Sequence, residues 1–280
     1  GLDDFDTNLE YHPIAKLQRL VAIGDRTTAL VPVIHTIDKD DVVSKSRLTF
    51  DTGYEVRNIY TSSNRFWIGL QNTKGKNAKI IEWDGTSLTY NNEYEITGSA
   101  PVCGFVANDI PYFISDTGYI FRYSGGAFVK VADFGIQEHR QILDLMSNYS
   151  AHVDGDIVYL NIGMRTAGNF NSTQAPNGLR KQRPGIWIFN LKTGNLYHHR
   201  GLSEFTTPGT DISYGGIHGD TRSTGAVIKT SDVNILVASA SIYVGGATWQ
   251  ASQANGIYRD ARNDEQLSSV GRNRGYFITP

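Results

Sequence analysis

Residues 66–70 (FWIGL) and 79–83 (KIIEW), followed by the turn Asp84-Gly85-Thr86, decide the fold of this chain. Both runs are rich in β-branched and aromatic residues, which favour β-strands. The Asp-Gly pair supplies the positive φ angles that a tight hairpin turn requires. This stretch therefore predicts consecutive antiparallel strands joined by tight turns.

The same order of strand, polar turn, strand and glycine-containing turn recurs in residues 111–126 and again in residues 156–194. Trp67, Phe113 and Tyr159 occupy matching positions that lie 46 residues apart. A period of about 40 to 50 residues, with four short strands in each unit, is typical of the blades of a β-propeller. The aromatic residues are then expected to pack between neighbouring blades.

Weaker copies of the repeat lie on either side of these three units. They are a hairpin of residues 17–22 and 28–33 around Gly24-Asp25, and a late blade containing residues 234–238 and 256–259. Evidence for helix is thin, and the best candidate is the stretch 137–146, where Ile142, Leu145 and Met146 could share one face.

We therefore predict an all-β protein, a β-propeller of about five to six four-stranded blades that spans residues 1–270. Residues 271–280 are assigned to the start of a further β region, and the first residues are compatible with a preceding segment. The chain begins at Gly1 without Met and ends at Pro280 just after a strand-like run. We accordingly expect it to be a piece of a longer protein.

The composition agrees with an all-β chain. Charged residues make up 19% of the 280 residues, below the roughly 25% of average domains, while Gly, Tyr and Phe number 29, 15 and 12. The formal net charge of -2 gives no global attraction to nucleic acid or to anionic membrane. The single cysteine, Cys103, excludes an intrachain disulfide and is expected to be a small buried apolar residue.

Glycosidase chemistry needs two carboxylates that face each other across a sugar. Six carboxylates of this chain are candidates for such a pair. They lie in or beside predicted turns, at Glu82, Asp84, Asp109, Asp116, Asp154 and Asp156. Their spacing does not single out an acid and a nucleophile, so we predict no catalytic residues. Asp116-Thr117-Gly118 resembles part of an Asp-box, in which the carboxylate braces its own hairpin turn.

Neither a cofactor site nor a metal site is predicted, since the seven histidines show no ligand spacing. The longest polar loop, residues 163–184, carries four basic residues and is the best candidate for a contact with phosphate or an acidic partner. Those basic residues are Arg165, Arg180, Lys181 and Arg183.

The Trp-Asp-Gly and Tyr-Ser-Gly-Gly hairpins and the terminal run 270–280 (VGRNRGYFITP) together resemble propeller-containing tail or nozzle proteins of tailed bacteriophages. The resemblance implies a structural protein of the virion tail that acts through assembly contacts and has no catalytic residues. It implies other tail proteins as partners, a symmetric homo-oligomer, proximity to DNA in a tail conduit and no membrane. The basic loop would matter most beside DNA.

Two other functions remain open from the residues alone. One is a carbohydrate-binding or glycoside-hydrolysing propeller, for which the partial Asp-box and exposed tryptophans would be needed. The candidate tryptophans are Trp67, Trp83, Trp187 and Trp249. The other is a generic interaction propeller in a host cell.

Overall fold

The computed structural model places residues in two compact units, Gly1–Val131 and Ala132–Pro280. The described residues are 13–24, 31–75, 77–135, 141–143, 150–162, 164–166, 185–201, 227–229, 236–240, 256–259 and 276–278. None of these segments is a helix long and apolar enough to cross a membrane.

Three four-stranded antiparallel sheets, which we call blades 1 to 3, follow one another in the first unit, and the last strand ends just beyond its boundary. Blade 1 comprises β1 (Ile14–Leu17), β2 (Leu20–Gly24), β3 (Val33–Ile37) and β4 (Val43–Thr49). Blade 2 comprises β5 (Tyr54–Ser62), β6 (Arg65–Asn72), β7 (Asn77–Trp83) and β8 (Asn92–Thr97). Blade 3 comprises β9 (Pro101–Ala107), β10 (Ile110–Ser115), β11 (Tyr119–Ser124) and β12 (Ala127–Asp133). Within each blade, every strand pairs with the next one in sequence.

The described part of the second unit contains two more four-stranded sheets and one strand pair. Blade 4 comprises β14 (Ala151–Asp154), β15 (Ile157–Ile162), β17 (Gly185–Asn190) and β18 (Leu196–Gly201). Blade 5 comprises β19 (Val227–Lys229), β20 (Leu236–Ala240), β21 (Gly256–Arg259) and β22 (Tyr276–Ile278). The separate pair consists of β13 (Gln141–Leu143) and β16 (Met164–Thr166).

The core of the first unit lies between its blades, because successive side chains of a strand point to opposite faces. On β6, Phe66 and Ile68 join a cluster with residues of blade 1, whereas Trp67 joins a cluster with Phe113 of blade 3. Burying a large apolar side chain of this kind stabilises a fold by about 1.5–3 kcal/mol. The alternation on one central strand therefore joins three consecutive blades.

The repeat predicted from the sequence is confirmed. Trp67, Phe113 and Tyr159 lie on β6, β10 and β15, the second strand of blades 2, 3 and 4. Among the described residues there are five four-stranded blades, in agreement with the predicted five to six. The late copy is also confirmed, since β20 and β21 are antiparallel neighbours.

The hairpin predicted around Gly24-Asp25 is confirmed, since β2 and β3 pair antiparallel, but its strand bounds were wrong. Residues 17–22 do not form one strand, because a turn at Gln18 with φ of 54° separates β1 from β2, and β3 begins at Val33. The prediction of a helix was also wrong. In the stretch 137–146, the described residues 141–143 form strand β13 rather than helix, because they pair with β16. The rest of that stretch lies outside the described residues.

The end of the described chain also forms part of a blade. Residues 276–278 form β22, which pairs with β21 as the edge strand of blade 5. The assignment of residues 271–280 to a further β region stays a prediction.

Candidate functional site: a polar cleft between blades 2 and 3

A row of polar side chains on β5 fastens blade 2 to blade 3. Asn58 Nδ2 donates to the carbonyl of Pro101 at 2.6 Å, the Tyr60 hydroxyl accepts from the amide of Gly104 at 2.8 Å, and Ser62 Oγ donates to the carbonyl of Asp109. Asn58 and Ser62 are buried, so these bonds satisfy groups that would otherwise cost about 1–3 kcal/mol each. The row fixes the position of one blade against the other.

Two hairpin turns meet at the end of this row. The β5–β6 turn has Ser63 and Asn64 at φ of 50° and 56°, and the β9–β10 turn has Asn108 and Asp109 at φ of 50° and 60°. Two consecutive positive φ angles define the type I′ turn, which matches the twist of the flanking strands. Asp109 joins the turns, because its Oδ1 accepts from the Ser63 amide at 2.7 Å and its Oδ2 accepts from the Ser63 hydroxyl at 2.8 Å.

A cleft of about 560 Å³ opens between these turns. Its lining contains two carboxylates, one guanidinium, one amide and one phenol, together with apolar side chains. The lining residues are Ser63, Asn64, Arg65, Trp67, Glu82, Asp109, Ile110, Pro111 and Tyr123.

Glu82 is held at the wall of the cleft by residues of β6 and β8. Its Oε2 accepts from Asn92 Nδ2 at 2.8 Å and from the Tyr94 hydroxyl at 3.0 Å, while its Oε1 lies 3.5 Å from Arg65 Nε. The Tyr94 hydroxyl also lies 3.3 Å from that of Tyr123. The carboxylate is therefore oriented from one side, and Oε1 keeps acceptor capacity towards the cleft.

The electrostatics of the cleft argue against a general acid at Asp109. The amide of Ser63, followed by its hydroxyl, lowers the pKa of Asp109. A glycosidase acid needs a carboxyl whose pKa is raised instead. In the same region, partial burial and then the hydrogen bonds to Tyr123 and Glu82 raise the pKa of Tyr94 far above its usual value, so its hydroxyl stays protonated.

The candidate carboxylate Asp84 stabilises the turn in which it lies. Asp84 Oδ1 accepts from the amides of Thr86 and Ser87 at 2.7 and 2.8 Å. Partial burial raises the pKa of Asp84, but the bonds from Ser87 and Thr86 outweigh it and hold the pKa well below its usual value. Asp84 therefore braces the predicted Trp-Asp-Gly turn in the way that an Asp-box carboxylate does.

Asp116 behaves differently from the Asp-box prediction. Its carboxylate accepts from the hydroxyl of Ser99, in the segment that links β8 to β9. In its own turn the amide of Tyr119 donates instead to Ser115 Oγ, at 3.3 Å. The prediction that Asp116 braces its own hairpin was wrong, because the carboxylate reaches across to the linking segment.

In blade 4 the candidate carboxylates form ion pairs. Asp154 lies 2.6 Å from Lys229 of blade 5, and Asp156 lies 2.6 Å from Lys192. Of the predicted basic contact loop, Arg165 lies on β16 and its backbone pairs with Ile142. The other three members, Arg180, Lys181 and Arg183, lie outside the described residues.

The tryptophans that a sugar-binding surface would need to expose are mostly buried. Trp83, Trp67 and Trp187 are 0%, 2% and 6% exposed, and Trp249 lies outside the described residues. Trp67 packs against Tyr123 with ring centroids 4.7 Å apart. The exposed tryptophans that the carbohydrate alternative would need are therefore not found at these three positions, and Trp67 and Trp83 instead belong to apolar clusters between blades. Cys103, as predicted, is a buried residue.

Sequence reasoning found Glu82 and Asp109 as candidates but did not bring them together, and it missed Asn64, Arg65 and Tyr123. The repeat period could have brought the turns of the cleft together. Ser63 and Asp109 are separated by 46 residues, the blade period, so their turns lie at the same end of neighbouring blades.

Neither the models of known protein families nor the curated proteins give a match to this sequence. In structure, the chain is similar to hydrazine synthase of Kuenenia stuttgartiensis, with a TM-score of 0.54 and 10% identity over 92% of this chain and 64% of that chain. The Dos1 propeller gives a TM-score of 0.42 at 10% identity over 88% of this chain and 55% of that chain. Bacteroides ovatus GH43B, of a xyloglucan PUL, gives a TM-score of 0.40 at 10% identity, over 95% of this chain and 55% of that chain.

At these identities the likeness concerns the fold alone. This chain spans about two thirds or less of the length of each of these structures. Five consecutive four-stranded antiparallel sheets among the described residues, in sequence order, define the class: the chain is an all-β protein of the β-propeller fold.

Proposed function

We propose that this chain is a structural module of a virion tail, a propeller that acts through protein–protein contacts and carries out no catalysis. The observation that carries the proposal is that polar side chains on β5 of blade 2 form hydrogen bonds with blade 3. Asn58, Tyr60 and Ser62 all bond to the neighbouring blade. Such bonds hold neighbouring blades in a fixed position, as a structural component of a particle requires.

The described carboxylates support the same proposal. Asp84 and Asp109 are held ionised by backbone amides, and Asp116 bonds a neighbouring segment. A hydrolase of sugars would need one carboxyl with a raised pKa opposite a second one. The glycoside-hydrolysing alternative stays a prediction, and a hydrolysis screen on a panel of polysaccharides tests it.

The terminal run 270–280 and the turns of blades 2 and 3 supply the resemblance to phage tail and nozzle proteins. On this proposal the partners are other tail proteins and further copies of the chain in a symmetric ring. The basic loop with Arg165, Arg180, Lys181 and Arg183 is proposed to face DNA in the conduit.

Particle composition tests the proposal. Tailed particles are purified from the phage or induced prophage that encodes the sequence, and their proteins are measured by mass spectrometry. We expect peptides of this chain in a fixed ratio to the other tail proteins. If the chain is absent from intact particles, the proposal is overturned.

A further inference from the structure

The polar groups of the cleft between blades 2 and 3 keep hydrogen-bonding capacity beyond their contacts within the protein. Glu82 Oε1 lies 3.5 Å from Arg65 Nε, and the Arg65 side chain is 40% exposed. Asp109 uses one acceptor direction of each oxygen for Ser63 and is exposed to solvent. The Asn64 side chain also lines the cleft and is exposed.

We propose that this cleft binds a neutral saccharide. A sugar hydroxyl is both a donor and an acceptor, so it is matched by a carboxylate next to a guanidinium or an amide. Glu82 and Asp109 accept, and Arg65 and Asn64 donate, from two sides of one space. Tyr123, Ile110 and Pro111 add an aromatic and apolar surface against which the C–H groups of a sugar ring can pack.

The charge of the lining decides between neutral and anionic ligands. Two carboxylates face one guanidinium, so the cleft has an excess of negative charge. Phosphates, sulfated sugars and sialylated sugars are therefore disfavoured, because a like charge placed in a confined site costs binding free energy.

The size and rigidity of the cleft suit the same ligand. About 560 Å³ lies within the range of roughly 300–1,000 Å³ over which protein pockets hold small molecules. The bonds that Ser63 donates to Asp109 fix two type I′ turns against each other before any ligand arrives. Binding to a preorganised site loses less conformational entropy than binding to a mobile one.

The inference goes beyond the proposed role in assembly, since the cleft could serve attachment to a glycan surface without any change in how the tail is built. The two proposals fail separately. The binding test uses the isolated 280-residue chain, whereas the assembly test uses intact particles.

The test is isothermal titration of the chain with gluco-, galacto- and manno-oligosaccharides of two to four units, with sialyllactose and a heparin tetrasaccharide as acidic comparators. We expect at least one neutral oligosaccharide to bind with a Kd of about 1 mM or tighter and the acidic ones to bind at least tenfold more weakly. Asp109→Asn and Arg65→Ala are expected to weaken binding at least tenfold. The matched controls, Arg19→Ala in the exposed β1–β2 turn and Asp40→Asn, are expected to leave it unchanged.

A second readout does not depend on the variants. In the unaltered chain, the bound saccharide is expected to shift the NMR resonances of the Asn64 side-chain amide and of Arg65 Nε. The proposal is overturned if the whole panel fails to bind, if the acidic sugars bind more tightly, or if those two resonances stay in place when a sugar binds. Normal binding by both folded cleft variants would overturn it as well.

Discussion

Gly104 of β9 lies at the contact between blades 2 and 3, and its replacement by alanine tests how closely the two blades pack. A Cβ at this position would meet the backbone oxygen of Tyr112 at 2.5 Å and the Tyr60 ring at 2.8 Å. The Tyr112 oxygen belongs to backbone that is paired with Phe105 within blade 3, so moving it would disrupt the sheet. The second contact could be relieved only if Tyr60 withdraws, which would break its bond with the Gly104 amide.

The expected loss follows from these two contacts. Overpacking a well-packed interior costs about 1–3 kcal/mol, and an unsatisfied buried amide costs about 1–3 kcal/mol. We therefore expect Gly104→Ala to lower the free energy of unfolding by about 2–6 kcal/mol, and Tyr60→Phe to lower it by about 1–3 kcal/mol. The assay is urea unfolding of the full chain followed by tryptophan fluorescence and circular dichroism.

Gly125→Ala is the matched control, because its added Cβ would meet no atom within 4 Å and only its φ of 61° is unfavourable. That backbone effect is expected to cost about 1–2 kcal/mol. If Gly104→Ala unfolds within about 0.5 kcal/mol of the unaltered chain, the close contact between the blades that we describe is refuted.

Three further predictions concern single residues. The pKa of Asp84 is lower folded than unfolded, so its stabilising effect is complete above its unfolded pKa of about 3.9 and is lost as the pH falls below that value. Asp84→Asn should therefore lose less stability than the unaltered chain between pH 5 and pH 2, as measured by urea unfolding. Burial raises the pKa of the Cys103 thiol to about 12, so iodoacetamide should label it at pH 8 only after unfolding. Lys229→Met should reduce stability by less than about 1 kcal/mol, because its ion pair with Asp154 is exposed to solvent.

The strands predicted best from sequence are those whose pattern is local. The second and third strands of blades 2, 3 and 4 combine β-branched and aromatic residues with glycine turns, and the period of Trp67, Phe113 and Tyr159 places them correctly. The first strand of each blade was harder to predict. On β5, Asn58 and Ser62 are polar yet buried, because their partners belong to the next blade some 40 residues away.

The full lining of the cleft could not be predicted for the same reason, although the 46-residue spacing of Ser63 and Asp109 places their two turns at the same end of neighbouring blades. Arg65, Glu82 and Asp109 come from three separate hairpin segments, and only the pairing of strands and the contact between blades brings them to one space. The tryptophans were predicted better. Aromatic residues in a strand can face either a ligand or a neighbouring blade, and Trp67 and Trp83 face the neighbouring blades, as the repeat predicted.

Assembly of particles without this chain tests the central claim most directly. The coding sequence is interrupted in the phage or prophage that encodes it, and the particles are viewed by electron microscopy, with the intact sequence supplied in trans as the control. The account predicts heads without complete, functional tails, and restoration of the tails by the supplied chain. Complete and infectious particles formed in its absence would contradict it.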